Sequence, residues 1–507
     1  MSVEFKSSSP AATEGLAAEL SLWARPGQCI LLSGELGSGK STFARAFIRA
    51  LAIGHQEFDI PSPTFSLLQA YDNTRVPVVH ADLYRLRSAP EIEELGLDDL
   101  VAGNVLLVEW PENLERKICI DCLEISFSGA CQSRLLKLQA HGGWVTCLKR
   151  NALINDFVKR SAFRNGVRTF FEGDASARRY ESLTADSKIM LLMDMPNRPD
   201  GPIVKNNRTY SAIAHLAEGM GAVVAINDHL FGLGYSTAEI HDLDLENGLA
   251  LMEYLGGNVF GKMAVRGDDM GAPMRAAIEV LADMAARDWP RSVPLRGGAT
   301  YHLSEYDFDA LTIEIDLLLS WYWPHVKKGN PSAAAAEDFA DAWRGPLARV
   351  DAREPVWTLR DFHSPNLLWM PERSGLRRVG LIDTQDCVLG HPAYDVVSLL
   401  QDARVDVEFE FADALFDHYC DLRTAAGPFD AKGFAQAFAI LGAQRATKIL
   451  GIFARLSKRD GKHAYLKHMP RVSRYLARNL QHPDLAQLKM RYQRHFPALW
   501  DKAGEWA

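Results

Sequence analysis

An α/β unit followed by a two-lobed α+β unit, strands first and helices after, is the fold class that the sequence predicts. Three observations predict it. The chain has 507 residues, too many for a single core when domains run to about 100–200 residues each. Near the start, QCILLSGELGSGKSTFARAFIRAL (28–51) reads as a short apolar strand running through clustered glycines into a helix. Beyond residue 148, strand-like segments such as KIMLLMDMP (188–196) and GLALMEY (248–254) precede a mainly helical remainder from 260 to 507.

Bulk properties exclude several classes. Hydrophobic residues at 47% and charged residues at 24% are ordinary globular values. The start, MSVEFKSSSPAATEG, is polar, and no run of about 18 apolar residues occurs, so a soluble cytoplasmic protein without a membrane segment is expected. Net charge is −8, of which residues 1–145 carry −6, with 12 Lys+Arg against 18 Asp+Glu. Such a balance argues against strong direct nucleic-acid binding.

Seven cysteines without framework spacing suit a reducing compartment. Cys119 and Cys122 form a CxxC, with Cys131 and Cys147 following. KICIDCLEISF (117–127) alternates as a strand, however, and strand residues three apart face opposite ways, so a metal site is not expected there.

In the first unit, QCILLSG and NVLLVEWPE (104–112) read as apolar strands closed by turn residues, and a helix runs from Ser41 to about Leu51. The strand, glycine loop and helix together make a Walker-type phosphate loop. Gly34, Gly37, Ser38 and Gly39 let backbone N–H groups approach phosphate oxygens, while Lys40 reaches the outer phosphates of ATP. Ser41 binds Mg²⁺ in this reading, and Thr42 follows in the first helical turn. Glu109 ends an apolar strand, where a carboxylate near the γ-phosphate serves hydrolysis. The glycine pair of AHGGWVTCLKRNALINDFVKR (140–160) closes this segment. Expected domains are therefore 1–147, 148–258 and 259–507.

With SPTFSLLQAY (62–71), HADLYRL (80–86), EELGLDDL (93–100) and LLVEWPEN (106–113), residues 10–145 resemble the TsaE ATPases that help make threonylcarbamoyladenosine in tRNA. The resemblance implies that Thr64 lies in a nucleotide-sensing switch, Asp82 assists the metal, Glu109 polarises the attacking water and Trp110 stands beside it. It also implies TsaB- and TsaD-like partner proteins. Ser38 stands where alanine is common, and Ser41 replaces threonine while keeping the hydroxyl.

The second unit has its own phosphate chemistry. RDFHSPN (360–366) supplies Asp361 and Asn366, and LIDTQD (381–386) supplies Asp383 at the end of an apolar strand. In this order a kinase places the acid that deprotonates the attacking hydroxyl, then two ligands for Mg²⁺. With GHPAYDVVSLLQD (390–402) these motifs resemble the aminoglycoside phosphotransferase family. GDASARRYESL (173–183), LLMDMP (191–196) and KILGIFARLSKRDGKHAYL (448–466) are most similar to its AmgK-type sugar kinases, which implies an amino-sugar acceptor. Leu359 occupies the place of a histidine, and Met193 or Asp194 that of a phosphate-pairing lysine, which Lys188 or an arginine of ARRY would replace. These departures leave open a non-catalytic nucleotide-binding module; a separate alternative keeps the kinase with an aminoglycoside, choline or similar amine as acceptor. Arg445, Lys448, Arg455 and Arg459 share one helical face, expected to be solvated or salt-bridged.

Overall fold

The computed structural model describes residues 1–497 and 499, apart from 56–57, 87, 115–117, 130–132, 173–177, 198–199, 218 and 351–353. Cys131 and the opening of GDASARRYESL lie outside the described residues. Contacts divide the chain into Met1–Met193 and Asp194–Ala507.

The first unit begins with β1 (Ser2–Ser7), α1 (Pro10–Ser21), β2 (Cys29–Gly34) and α2 (Lys40–Ala50). There follow β3 (Leu68–Tyr71), β4 (Val78–Asp82), α3 (Ala89–Glu93), α4 (Leu97–Val101), β5 (Val105–Glu109), β6 (Cys122–Ser128) and β7 (Arg134–Ala140). These strands form one sheet in the order β1-β7-β6-β2-β5-β4-β3. Its centre is parallel, with Cys29–Leu32 opposite Leu106–Glu109 of β5 and Cys29–Gly34 opposite Cys122–Phe127 of β6. Every residue of β4 and β5 is buried, as expected for parallel strands covered on both faces.

α5 (Gly143–Arg160) then leads to β8 (Val167–Phe171), β9 (Arg179–Ala185) and β10 (Lys188–Asp194). β8 and β9 pair antiparallel, Val167 opposite Thr184. Position 148 lies inside α5.

One sequence reading is corrected. KICIDCLEISF is strand only from Cys122 onward. Before it the chain turns, with the Cys122 N–H donating to Ile120 O at 3.1 Å. Asp121 fixes the turn: its carbonyl accepts from Cys29 N (3.0 Å) and its Oδ1 from Gly143 N (2.8 Å), a usual role for aspartate at a strand entry.

The second unit opens with β11 (Ile203–Lys205), β12 (Arg208–Thr209), α6 (Tyr210–Ala214), α7 (Met220–Gly232), β13 (Ser236–Thr237), β14 (Ile240–Asp244) and β15 (Leu249–Glu253). Helices α8 (Phe260–Arg266) and α9 (Gly271–Ala285), the hairpin β16 (Ser292–Pro294) and β17 (Thr300–His302), and α10 (Phe308–Leu317), α11 (Trp323–Val326) and α12 (Ala333–Leu347) come next. Four short strands carry the motifs: β18 (Val356–Thr358), β19 (Leu367–Trp369), β20 (Val379–Leu381) and β21 (Val388–Gly390). The chain closes with α13 (Ala393–Leu400), α14 (Phe409–Ala426), α15 (Ala431–Asp460), α16 (Met469–Asn479) and α17 (Ala486–His495).

α15 organises this core. By length and composition it could cross a membrane, yet 83% of its apolar window is buried inside the fold. At Gly451 a Cβ would stand 2.5 Å from the carbonyl carbon of Leu317, so glycine lets α15 pack directly on the end of α10.

Candidate active sites

The loop from β2 into α2 is shaped by glycines at positive φ: Gly34 (135°), Gly37 (76°) and Gly39 (110°). At Gly34 a Cβ would lie 2.6 Å from Phe127 O, a contact no side chain can make. The N–H groups at the start of α2 and its dipole favour an anion here. Lys40 Nζ donates to Gly34 O (2.6 Å) and Glu35 O (3.0 Å) and lies 3.7 Å from the Trp110 ring centroid. Burial lowers the proton affinity of Lys40 below the usual ammonium range, against the opposing charges of Glu109, Glu112 and Asp82. The buried Ser38 Oγ has no hydrogen-bond partner among the described residues, and Thr42 is half-buried in the first turn of α2.

Carboxylates gather at the same strand ends. Ser41 Oγ donates to Glu109 Oε2 (2.8 Å), and His80 Nε2 donates to Glu109 Oε1 (3.0 Å). Thr64 Oγ1 donates to Asp82 Oδ2 (2.9 Å), and Tyr84 N to Asp82 Oδ1 (3.0 Å). Asp82 and Glu109 are directly opposite in the β4–β5 register. The residues anticipated for the phosphate-loop site therefore lie around the C-terminal ends of parallel strands, where α/β sheets bind ligands. A glycine cradle, an orphaned serine hydroxyl, one ammonium and hard oxygen donors fit a Mg²⁺-nucleotide.

Two neighbours escaped the sequence reading. His80, fully buried, shares a strand face with Asp82, so the period of two in HADLYRL was the available signal. Arg134 reaches the loop from β7, its Nη1 3.2 Å from where a Gly39 Cβ would stand. Its proximity depends on sheet order, and no local signal marks it.

In the second unit, β18 delivers the loop that starts at Leu359. Arg360 (φ 67°) and Asp383 (φ 62°) both adopt the left-handed region, a conformation costing non-glycine residues of order 1–3 kcal/mol and concentrated at functional sites. Asn366 Nδ2 donates to Asp361 O (3.1 Å), and Ile382 N donates to Asn366 O (3.1 Å), so Asp383 follows immediately. Leu367 pairs with Leu381 across β19–β20. Asp361, Asn366 and Asp383 are thereby brought together. Gln385 Nε2 donates to Asp383 Oδ1 (3.1 Å). An amide oxygen and a carboxylate are hard donors that fit Mg²⁺.

The Asp361 side chain is 36% exposed, with His363 Nδ1 3.8 Å from it. Burial works to raise its proton affinity, but the charges of His363, Arg445, Lys448 and Arg360 prevail and hold it below the usual carboxylate range. Beneath the loop, fully buried Glu314 accepts from Arg360, from Lys448 Nζ (2.7 Å) and from Gln444 Nε2 (3.0 Å). Burial raises Glu314 while Lys448 and Arg360 lower it, to about 2.

Two of the basic α15 side chains pair with carboxylates, Lys448 with Glu314 (2.7 Å) and Arg459 with Asp460 (2.7 Å), and most of the face points inward. Arg445 Nη1 donates to Arg360 O (2.9 Å), Arg455 lies 5.7 Å from the Tyr210 ring centroid, and only Arg459 meets an exposed partner, Asp460. Lys188 is exposed at the start of β10, while Arg179 is bound to Glu181 (2.5 Å) and lies 3.5 Å from the Trp23 ring centroid. Met193 and Asp194 are buried.

A nucleotide loop with paired carboxylates, followed by a loop holding an acid and an amide with a second acid at a hairpin end, defines a P-loop ATPase domain joined to a kinase-like phosphotransferase domain. The chain belongs to the phosphotransferase enzyme family, whose profile matches residues 167–429, and through residues 7–136 to the threonylcarbamoyl adenosine biosynthesis protein TsaE family. The N-acetylmuramate/N-acetylglucosamine kinase of Caulobacter vibrioides is 35% identical over 358 residues, 69% of this chain and 97% of that protein. The enzyme of the same name from Pseudomonas putida is 28% identical, over 66% of this chain and 91% of its own. The TsaE of Rickettsia bellii is 37% identical over 114 residues, 22% of this chain and 78% of that protein.

Proposed function

We propose that the chain is a cytoplasmic bifunctional fusion. Residues 1–147 act as the ATPase subunit of tRNA threonylcarbamoyladenosine synthesis, alongside TsaB- and TsaD-like partners. Residues 148–507, as lobes 148–258 and 259–507, phosphorylate the anomeric hydroxyl of N-acetylmuramate or N-acetylglucosamine with ATP. The observation that carries the kinase reading is the convergence of Asp361, Asn366 and Asp383 on one loop and one hairpin end.

In the first site Lys40 and the loop N–H groups bind the phosphates, Glu109 orients and polarises the water, and Thr64 reports the nucleotide state through Asp82. In the second, Asp361 accepts the sugar hydroxyl proton; its low proton affinity keeps it ionised and ready. Mg²⁺, held by Ser41 and Asp82 in one site and by Asn366 and Asp383 in the other, would neutralise charge on the transferring phosphoryl group.

A second reading keeps the kinase and changes the acceptor. A cavity of about 430 Å³ beside Ser364 is lined by Asp268, Asp269, Asp406 and Glu408, a setting that favours a cation. Asp406 is already met by Arg471, and Asp268 by Arg266, which leaves less charge for a ligand. The test is a screen of the Lys40→Ala full-length protein against amino sugars and aminoglycosides, following ADP and sugar phosphate. Anomeric phosphate from an N-acetylated sugar supports the proposal. Turnover of aminoglycosides alone would install the second reading, and no turnover would make the domain a non-catalytic module.

A further inference from the structure

Three thiols meet at the root of the nucleotide-binding strand. Cys29 opens β2 and Cys122 opens β6, and the two are direct partners in the parallel register. Neighbouring strands run about 5 Å apart, and partners in parallel register place their side chains on the same face. The turn at Ile120–Asp121 folds Cys119 back onto this pair, with its sulfur in hydrogen-bonding reach of both other thiols and 3.4 Å from Asp121 O. Cys29 and Cys122 are buried, while Cys119 is half-buried beside exposed Ile120.

This cluster is used by neither active site. Among the described residues no group of three His, Cys, Asp or Glu side chains is arranged to hold a metal ion. We propose that Cys119 is a peroxide-reactive thiol that forms a reversible disulfide with Cys122. Accessibility and hydrogen bonding select Cys119 as the nucleophile. Donation from the Cys122 and Cys29 thiols draws its proton affinity down, whereas Cys29, hydrogen-bonded to Cys119 and buried, holds its proton more tightly.

In the first step the Cys119 thiolate attacks an oxygen of hydrogen peroxide: the S–O bond forms, the O–O bond breaks, and hydroxide leaves to take up a proton as water. Cys122 sulfur then attacks the Cys119 sulfenic sulfur, forming the S–S bond as hydroxide departs with the Cys122 proton as water. The peroxide is reduced by two electrons and the dithiol oxidised by two. A dithiol reductant reverses the change. Cys122 is the resolving thiol because it sits at the other end of the same tight turn, while Cys29 supports the thiolate by hydrogen bonding.

The test uses the full-length protein, hydrogen peroxide in stoichiometric steps, rapid alkylation of remaining thiols, and peptide mass spectrometry. A Cys119–Cys122 disulfide formed first and lost on adding dithiothreitol is expected. Cys119→Ser should abolish it, and Cys122→Ser should trap a sulfenic acid on Cys119 that a dimedone probe labels; Cys147→Ser should leave it intact. Oxidation of Cys420 ahead of Cys119, a Cys119–Cys29 linkage, or no dimedone label in folded Cys122→Ser would overturn the assignment.

Discussion

The Asp395 carboxylate accepts hydrogen bonds from the backbone N–H groups of Leu359 (2.6 Å) and Arg360 (2.9 Å). The loop that carries Asp361 is thus held through its main chain by the start of α13. Ser398 Oγ adds a bond to Arg360 O at 3.2 Å. Leu359 itself is buried in the helical core. A side chain that packs is sufficient at this position, which explains how the loop keeps its shape without the histidine seen in related motifs.

Asp395→Ala is therefore expected to leave two buried N–H groups unpaired, at about 1–3 kcal/mol each. The thermal transition of the second unit should fall, and phosphorylation should fall more steeply than Mg·ATP affinity because the displaced loop carries the base. Calorimetry and kinetics on the full-length variant measure both. Unchanged stability would show that the loop is held by other means.

Asp361 and Asp383 are distinguished by what each loses on becoming an amide. Asp361→Asn withdraws a proton acceptor and should lower turnover roughly a hundredfold to ten-thousandfold with ATP affinity nearly unchanged. Asp383→Asn withdraws a metal donor and should weaken Mg²⁺-dependent nucleotide binding as well. Sugar phosphate formation and Mg·ATP titration of both proteins make the comparison. Undiminished phosphorylation by Asp361→Asn would remove it from the role of base.

The sequence was most readable where function is built from contiguous residues. The loop from Gly34 to Ser41 needs only a strand, glycines and a helix, and Asp361 to Asn366 is a single loop whose spacing survives folding. What depends on long-range register was hidden. The partner of Asp395 lies about 35 residues away along the chain, Arg134 meets the phosphate loop only through sheet order, and Cys119 joins Cys29 because a turn interrupts an alternating pattern. Helical spacing placed Arg445 and Lys448 on one face, but spacing does not say which way a face points.

Glu314 gives a pH signature. Its proton affinity in the folded protein is depressed to about 2 from an ordinary value of 4.5, so its contribution is complete above pH 4.5 and is lost as pH falls toward 2. The linked stability is about 3 kcal/mol at roughly 1.4 kcal/mol per unit. Glu314→Gln should lower the neutral-pH melting temperature of the second unit, since it leaves Arg360 and Lys448 buried without their counter-ion. The variant should also lose part of the acid dependence between pH 5 and 3. Parallel pH profiles for parent and variant would reject the idea.

Lys40→Ala should abolish ATP turnover by the first domain while amino-sugar phosphorylation continues within about twofold. The two phosphate centres are built from separate residues, and sites that share no partners behave additively. Both rates are measured on the same full-length preparation. Loss of sugar phosphorylation would reveal coupling between the centres.

Arg168 on β8 makes a two-point contact with Glu181 on β9, at 2.6 and 3.0 Å, with side chains only 6% and 0% exposed. Its Nη1 also donates to Asn151 (2.9 Å) and Asn155 (2.6 Å) on α5, and Asn151 receives the Trp23 indole at 3.1 Å. Glu19 on α1 accepts from Asn155 at 2.6 Å. The β8–β9 hairpin is thereby joined to α1 and α5, and a cut near 148 would separate groups that satisfy one another's buried charges. Arg168→Met should cost about 3–5 kcal/mol, because among the described residues Glu181 keeps Arg179 alone as a charged partner. Adding Glu181→Leu should restore much of that loss, since replacing both members of a buried pair is far milder than removing one. Hydrogen exchange is the discriminating measurement: α1, α5 and β8 should lose protection together in Arg168→Met. Loss confined to β8 and β9 would show that the hairpin is held independently of the ATPase helices.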